Sequence, residues 1–183
     1  MGKQFDTIGD DHRAFIEAQH IYFVGTAART GKVNVSPKGG DSLRVMGPNR
    51  IVWRNLTGSG NESAGHLTDT PRMTIMWCGF EKRPMIMRAF GTALALHPRD
   101  PAFAALDRMF TPHPGTRQIY DMQVEMVQTS CGYAVPYFDH AGDRDTLDRW
   151  TEDKGPEGLA EFQRQNNQTT LDGLPTHLFD PAR

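Results

Sequence analysis

The sequence predicts a mainly-β protein in which antiparallel strands curl into a closed or nearly closed β-barrel, with a few helices packed outside it. The first observation is a series of about seven apolar segments of strand length, several of them joined by tight turns. The second is the scarcity of helical segments, because a parallel doubly wound sheet needs a helix after nearly every strand. The third is Gly91, inside a long apolar segment, where a bulge or bend would let the sheet curl.

The first half of the chain is expected to contain two helices and four strands. Asp10 or Asp11 can cap a short helix that runs to about Ala18. Strands are predicted at residues 21–27, 33–36 and 43–46, and a fourth opens at 51–53. The alternation of apolar and polar residues at 33–36 indicates a strand with one solvent-exposed face. After a polar loop at 57–61, a helix is predicted over 62–69, and Pro71 prevents it from continuing.

The second half is expected to contain longer strands and the C-terminal helices. Strands are predicted at 73–80, 85–96 and 121–135, and helices at 101–109, 144–150 and 157–165. We interpret the chain as one domain, residues 1–183, with a C-terminal helical and tail extension that begins at about residue 144. Trp150 and the polar segment 167–176 are expected to close over a ligand cleft of the same chain or a partner chain. The alternative is that they pack against the outside of the barrel.

The composition excludes several classes of protein. The chain has 183 residues, of which 38% are apolar, and its net charge of -2 gives no general attraction to nucleic acid or anionic membranes. No segment has the character of a signal peptide or the length of a membrane span. Cys78 and Cys131 are expected to be reduced thiols in the core, which favours a cytoplasmic location. The histidines and cysteines show no metal-binding spacing, so no metal site is predicted.

The loop Thr57-Gly58-Ser59-Gly60-Asn61, called the 57–61 loop below, is the first candidate site. It leads into a predicted helix, and a helix start offers free backbone N–H groups and the positive end of the dipole. The hydroxyls of Thr57 and Ser59 and the amide of Asn61 add side-chain donors, and Arg54 lies just upstream. These features predict a phosphate-binding loop. The alternative is an ordinary capped loop, because the segment matches neither a Walker A motif nor a dinucleotide fingerprint.

The second candidate site is Ser36-Pro37-Lys38-Gly39-Gly40, at the end of a predicted strand. Lys38 can reach a phosphate as a point charge, and the alternative is a solvated turn. If the strand that carries Lys38 neighbours the strand that carries Arg54, Lys38 and the 57–61 loop would converge on one dianion. Among the tryptophans, Trp150 is the best candidate to stack on a flat ligand ring, because it lies in an otherwise polar helix.

Several of these segments together resemble the pyridoxamine 5′-phosphate oxidase-like family. The resemblance rests on the order and spacing of the motifs at residues 23–26, 33–39, 55–61, 70–72, 88–91, 126–133 and 172–176. It implies a split β-barrel that binds FMN, and a homodimer with two flavin sites in its interface. The positions that match the family's cofactor site are Ser36, Lys38, Arg54, Ser59 and Asn61, beside Asn55 and Thr57 of the same motif.

The chain departs from true pyridoxamine phosphate oxidases in two places. Their phosphate loop carries Ser-Arg-Lys, whereas this loop reads Ser59-Gly60-Asn61 and lacks both cations. Their C-terminal Trp-Arg-Leu motif is also missing, which argues against vitamin B6 chemistry.

The leading functional hypothesis is an FMN-dependent oxidoreductase that acts on a small-molecule substrate. No residue stands out in the sequence as a general acid or base, so the redox chemistry would be the flavin's. A second hypothesis is a flavin-binding protein without turnover, for storage, sensing or stress protection. A third keeps the barrel and replaces the ligand with haem or the deazaflavin F420. Haem would require an axial histidine facing the cleft, and none stands out in the sequence, while F420 would require additional cations.

Overall fold

The computed structural model describes residues 2–181, and these residues form an antiparallel sheet with four helices around it. Residues 1, 182 and 183 of the predicted domain lie outside the described part. The strands are β1 (Lys3–Phe5), β2 (Ile21–Thr26), β3 (Asn34–Gly39), β4 (Leu43–Gly47), β5 (Arg50–Leu56), β6 (Arg72–Cys78), β7 (Met85–Leu96) and β8 (Thr116–Cys131). The helices are α1 (Asp10–Glu17), α2 (Glu62–Asp69), α3 (Phe103–Asp107) and α4 (Thr146–Asn166). The mainly-β fold class with peripheral helices is therefore confirmed.

The strands form one curled sheet in the order β3-β2-β6-β7-β8-β5-β4, with β1 paired to β8. Every strand pair is antiparallel, as the turns between the apolar segments predict. No ladder joins β3 to β4 within residues 2–181, so the barrel is curled but not closed by strand pairing. Ser42, in the connection between these edge strands, bridges the gap: its carbonyl accepts from Arg54 N–H at 2.7 Å, and its hydroxyl lies 2.9 Å from Tyr22 Oη.

Gly91 gives the sheet one of its bends. The register between β7 and β8 shifts between Phe90 and Gly91, which confirms the bulge that the sequence predicts there. A Cβ at Gly91 would collide with the backbone oxygen of Gln123 on β8, so a larger residue would force the two strands apart. The bulge therefore requires glycine, and it increases the local twist of the two longest strands.

The inner face of the curled sheet carries the main core. Its fully buried side chains include Val24, Trp53, Ile75, Met87 and Tyr120, one from each of five strands. The indole of Trp53 stacks on the ring of Tyr120, with centroids 4.2 Å apart. A smaller cluster on the other face packs α3 against β5 and β8. The site described below lies where β3, β4 and β5 border the main core.

Some sequence predictions need correction. The strands that carry Lys38 and Arg54 are not ladder neighbours, because β3 pairs with β2 alone whereas β5 lies between β8 and β4. The last strand begins at Thr116 rather than 121, and the three exposed residues of β1 carry no apolar alternation that would have revealed them. Cys78 is buried as expected, but Cys131 is exposed, so the core-thiol prediction is wrong for Cys131.

The C-terminal region returns to the barrel. The two predicted helices form one element, α4, which kinks at Gly155, where φ is 61°. The preceding segment, residues 132–145, is irregular and is held by two ring contacts: Phe80 with Phe138 at 5.3 Å, and His20 with His140 at 3.6 Å. Within residues 2–181, no helix has both the length and the apolar character needed to span a bilayer.

Candidate functional site

A large cleft of about 1270 Å³ opens at the end of the barrel where β3 and β4 meet. Its walls are the turn between these strands, the corner between α1 and β2, and the first turns of α4. Lys38 and Arg54, the two cations predicted for the site, both line it. The curl of the sheet brings them together although their strands are not hydrogen-bonded to each other.

Lys38 is a half-buried cation without a counter-charge. Its ammonium lies 5.7 Å from the centroid of the Trp53 ring, and no carboxylate in the described part of the chain forms an ion pair with it. Burial, together with the nearby charge of Arg117, lowers the pKa of Lys38 to about 8. A cation in this environment is stabilised by an anionic ligand.

Ser36 lies on the same face of β3 as Lys38, two residues earlier. Alternate residues of β3 are half-buried, and the intervening Val33, Val35 and Pro37 are exposed. Further along this face, the amide of Asn34 donates to the hydroxyl of Ser63 in the first turn of α2, at 3.4 Å. The inner face of β3 therefore runs from the start of α2 to the cleft, and it presents short polar side chains and Lys38.

Arg54 is almost fully buried and is largely occupied by structural contacts. Its guanidinium donates to the carbonyl of Asp41 at 3.1 Å and to that of Thr111, and it packs 5.1 Å from the centroid of the Phe110 ring. The carboxylate of Asp107 lies 3.9 Å away. These contacts hold the turn after β3 and the segment after α3 together at the wall of the cleft.

The 57–61 loop is fixed by side chains beneath it. The hydroxyl of Thr57 donates to the carbonyl of Gly115 at 2.9 Å and accepts from Gln163 at 2.8 Å. The amide of Asn61 donates to the carbonyl of Asn167 at 3.1 Å, whereas Ser59 is exposed. None of the N–H groups of Ser59, Gly60 and Asn61 donates to another residue of the described chain. The loop therefore keeps its backbone donors free.

The guanidinium of Arg117, on β8, lies behind this loop. It donates to the carbonyl of Gly58 at 3.3 Å, to the carbonyl of Gly60 at 3.0 Å and to the side-chain oxygen of Asn167 at 2.6 Å. Burial lowers the pKa of Arg117 to about 10. Sequence reasoning missed this residue, because the predicted strand began at 121 and left Arg117 in an unassigned connection.

Asn55 lies beneath the site, in the core. Its amide donates to Gln118 Oε1 at 3.4 Å, and the Tyr120 hydroxyl donates to the same oxygen at 3.3 Å. The amide nitrogen of Gln118 is buried and has no protein partner within residues 2–181. This arrangement assigns Asn55 to the support of β5 against β8.

Trp150 does not line the cleft, although its helical neighbours Leu147 and Thr151 do. Its ring packs edge-on against Phe162 at 5.0 Å, and Lys154 lies over it at 5.9 Å. The ring of Trp150 is thus packed by a residue of α4 itself, across the kink, and not by the cleft where a ligand ring was expected.

Histidines do face the cleft, contrary to the sequence expectation. His20, His113 and His140 all contribute to its lining. His113 Nδ1 accepts from Gly115 N–H at 2.9 Å, and Nε2 lies 3.0 Å from Asp148 Oδ1. This pattern assigns the proton of His113 to Nε2, which donates to the carboxylate. No group of three or more His, Cys, Asp or Glu side chains within residues 2–181 could hold a metal ion.

The curled antiparallel sheet defines a split-barrel protein, and comparison with known proteins identifies the family. Residues 8–131 match the family model described as pyridoxamine 5′-phosphate oxidase. The pyridoxamine 5′-phosphate oxidase family protein ustO of Aspergillus flavus is 33% identical over 191 residues, which cover 93% of this chain and 76% of the relative. The chain therefore belongs to the pyridoxamine 5′-phosphate oxidase family.

Solved structures with low sequence identity show the same fold. A histidine-to-alanine variant of HupZ from Group A Streptococcus is 17% identical, with a TM-score of 0.55 over 67% of this chain and 99% of HupZ. A putative pyridoxamine 5′-phosphate oxidase from Lactobacillus delbrueckii is 16% identical, with a TM-score of 0.53 over 67% of this chain and 94% of the other.

Proposed function

We propose that this protein is an FMN-binding flavoprotein that holds the FMN phosphate between Lys38 and the 57–61 loop. The observation that carries the proposal is the half-buried ammonium of Lys38, which has no carboxylate partner in the described chain. A dianion is the ligand that this environment favours most, because it offsets the cost of burying the cation. Membership of the family supports a flavin-related split barrel.

The 57–61 loop offers further donors that suit a phosphate group, although its residues do not line the cleft that Lys38 lines. The free N–H groups of Ser59, Gly60 and Asn61 lie at the start of α2, where the helix dipole favours negative charge. The hydroxyls of Ser36 and Ser59 form no hydrogen bond with another described residue and are free to donate to a ligand. Four other side chains already form hydrogen bonds within the chain, so we assign them to maintaining the shape of the site: Arg54, Asn55, Thr57 and Asn61.

The cleft next to Lys38 is the proposed place for the flavin ring. Its volume of about 1270 Å³ exceeds the range of about 300–1,000 Å³ that is usual for small-molecule sites. The cleft is therefore large enough to admit a flavin ring. The flavin, when bound, supplies the redox chemistry, and this chain's residues bind it, orient a second molecule and exclude water.

We also propose that the protein is a homodimer. The outer face of the sheet carries two directly opposed pairs of half-buried apolar side chains, Phe23 with Met76 and Phe90 with Met126, and Arg88 lies opposite Met76. Val33 and Val35 are 71% and 64% exposed at the edge of the sheet formed by β3, next to the residues that face the site. A second copy of the chain would cover these side chains.

The visible absorption spectrum of the purified protein tests the flavin proposal and its alternatives. We expect the two absorption bands of oxidised flavin after addition of FMN and removal of the excess. A Soret band would instead select haem, for which His20 and His140 offer candidate ligands in the cleft. Absence of retained flavin at saturating FMN would contradict the proposal. Aerobic oxidation of NAD(P)H by the loaded protein would then separate an oxidoreductase from a flavin-binding protein without turnover.

A further inference from the structure

We infer that Arg117 is a positioning residue that turns the 57–61 loop into an anion cradle and replaces the cations this loop lacks. The inference rests on the proposed function, because the anion is the FMN phosphate. Its starting point is a discrepancy in the sequence: the loop reads Ser59-Gly60-Asn61 and contains no Lys or Arg. The buried guanidinium of Arg117 comes from a different strand, β8, and reaches the loop from the protein side.

The contacts of Arg117 determine how the loop backbone points. Its two terminal nitrogens donate to the carbonyls of Gly58 and Gly60 at 3.3 and 3.0 Å. In a planar trans peptide, the carbonyl and the N–H of the next residue point in opposite directions. Drawing these two carbonyls toward Arg117 therefore directs the N–H groups of Ser59 and Asn61 away from it. Both of these N–H groups are without an acceptor in the described chain.

The charge of Arg117 acts through the same two peptide groups. A cation at the carbonyl end polarises the peptide, so the N–H at the other end becomes a stronger donor to an anion. No carboxylate in the described chain forms an ion pair with Arg117, and its Nε is buried without a partner. Lys38 is close enough for the charge of Arg117 to lower its pKa. Neither of these two cations has a carboxylate partner in the described chain.

Asn167 connects this arrangement to the C-terminal segment. Its side chain accepts from Arg117 at 2.6 Å and donates to the carbonyl of Gly58 at 2.9 Å. Its backbone carbonyl accepts from Asn61 at 3.1 Å and from the hydroxyl of Thr176. Asn167 is fully buried and forms these contacts at the end of α4. The C-terminal segment therefore closes on the back of the loop and does not line the cleft of its own chain.

The test is to measure amide chemical shifts of Ser59 and Asn61 by NMR during titration with FMN, riboflavin and inorganic phosphate. In the wild-type protein we expect FMN and inorganic phosphate to move both amide protons downfield and riboflavin to leave them in place. Arg117→Lys keeps a charge but cannot donate to both carbonyls with the same planar geometry. It should reduce these shifts and weaken FMN binding by about tenfold, with riboflavin affinity unchanged.

Arg50→Lys is the matched control. Arg50 makes a similar two-pronged contact, with Asp121 at 2.9 and 2.8 Å, on a strand that pairs with β8. Arg50→Lys should leave the affinity for FMN and the chemical shifts of the loop amides as they are in the wild-type protein.

The outcomes separate this inference from the proposed function. If the wild-type protein binds FMN but the two amides do not respond, the role of Arg117 and the placement of the phosphate at the 57–61 loop are both wrong, whereas FMN binding itself stands. If Arg117→Lys retains full affinity, only the role of Arg117 is wrong. If FMN does not bind but inorganic phosphate moves both amides in an Arg117-dependent way, the cradle exists and the flavin proposal fails. If neither ligand moves the amides of the wild-type protein and FMN does not bind, both are wrong. If the Arg117 variant does not fold, the wild-type titrations still test the cradle, because amides that respond to neither FMN nor inorganic phosphate overturn it.

Discussion

The ammonium of Lys38 lies over the indole of Trp53, 5.7 Å from the ring centroid, in a place where no carboxylate of the described chain pairs with it. Trp53 is itself fixed by its stack on Tyr120, so the apolar floor beneath the lysine is rigid. A cation–π contact offsets only part of the cost of removing an ammonium from water. A bound phosphate would offset the remaining cost of removing the ammonium from water. This cost predicts measurable effects on the free protein and on ligand binding.

The affinity for FMN should fall as the pH rises through about 8. Lys38 must be protonated to meet the phosphate, and its surroundings set its pKa in the free protein to about 8. The phosphate itself is a dianion above its second pKa of about 6, so it adds no change in this range. Between about pH 7 and about pH 9, the Kd for FMN should rise roughly tenfold. Riboflavin, measured by the same fluorescence titration, should show no such dependence, and a parallel rise for both ligands would exclude Lys38 as the cause.

Replacing Lys38 with methionine should stabilise the free protein. The pKa of Lys38 is lowered from 10.5 to about 8 on folding, so the charged form is less favourable in the folded state than in the unfolded chain. The unfolded chain then binds more protons between these pKa values, and the stability of the wild-type protein rises with pH across that window. At neutral pH, Lys38→Met avoids this cost and should raise the free energy of unfolding by about 1–2 kcal/mol. Urea denaturation of both proteins without ligand measures this change in the free energy of unfolding. A destabilised variant would show that Lys38 has a structural role.

Asn167→Ala should weaken both the fold and flavin retention. The change removes the shorter of the two hydrogen bonds to the carbonyl of Gly58 and the side-chain oxygen that accepts from Arg117, in a buried place. We expect a loss of about 2–4 kcal/mol in the free energy of unfolding, together with weaker FMN binding. Asn166→Ala is the control, because that exposed side chain bonds only within α4. Equal effects of the two substitutions would mean that the C-terminal segment merely packs on the barrel.

Phe90→Lys should convert the proposed dimer into monomers. Phe90 and Met126 lie opposite each other on the outer face of the sheet, so a charge there would be buried between two copies. Leu171→Lys, at a site that is 78% exposed in the C-terminal segment, should leave the assembly unchanged. Sedimentation velocity at micromolar concentration measures the oligomeric state of both variants. A wild-type protein that is monomeric with flavin bound would contradict the homodimer.

Local signals in the sequence predicted most of the fold. Helix α2 occupies Glu62–Asp69 and strand β7 occupies Met85–Leu96, the predicted bounds, because a cap, a proline and clear apolar patterns mark their ends. The bulge at Gly91 was also predictable. These features depend on residues that are close in the chain, so they can be predicted from a single sequence.

The composition of the site was less predictable, because it depends on contacts between distant segments. Lys38 and Arg54 meet at one cleft through the curl of the sheet and not through paired strands. The contact of Arg117 with Gly58 spans 59 residues, and that of Asn167 spans 109, so no local pattern marks either. Conversely, Thr57 and Asn61 looked like free ligand donors, but their side chains bond to the segments packed behind them.

The difference between FMN and riboflavin affinity, measured for the wild-type protein and for Lys38→Ala, tests the central claim most directly. The two ligands share the isoalloxazine ring and differ by the phosphate, so their comparison isolates the contact assigned to Lys38. A hydrogen bond to a charged group contributes about 1.5–3 kcal/mol, so Lys38→Ala should weaken FMN binding by roughly ten- to a hundredfold. Riboflavin affinity should hardly change. Equal weakening of both ligands, or of neither, would contradict the assignment of the phosphate to Lys38.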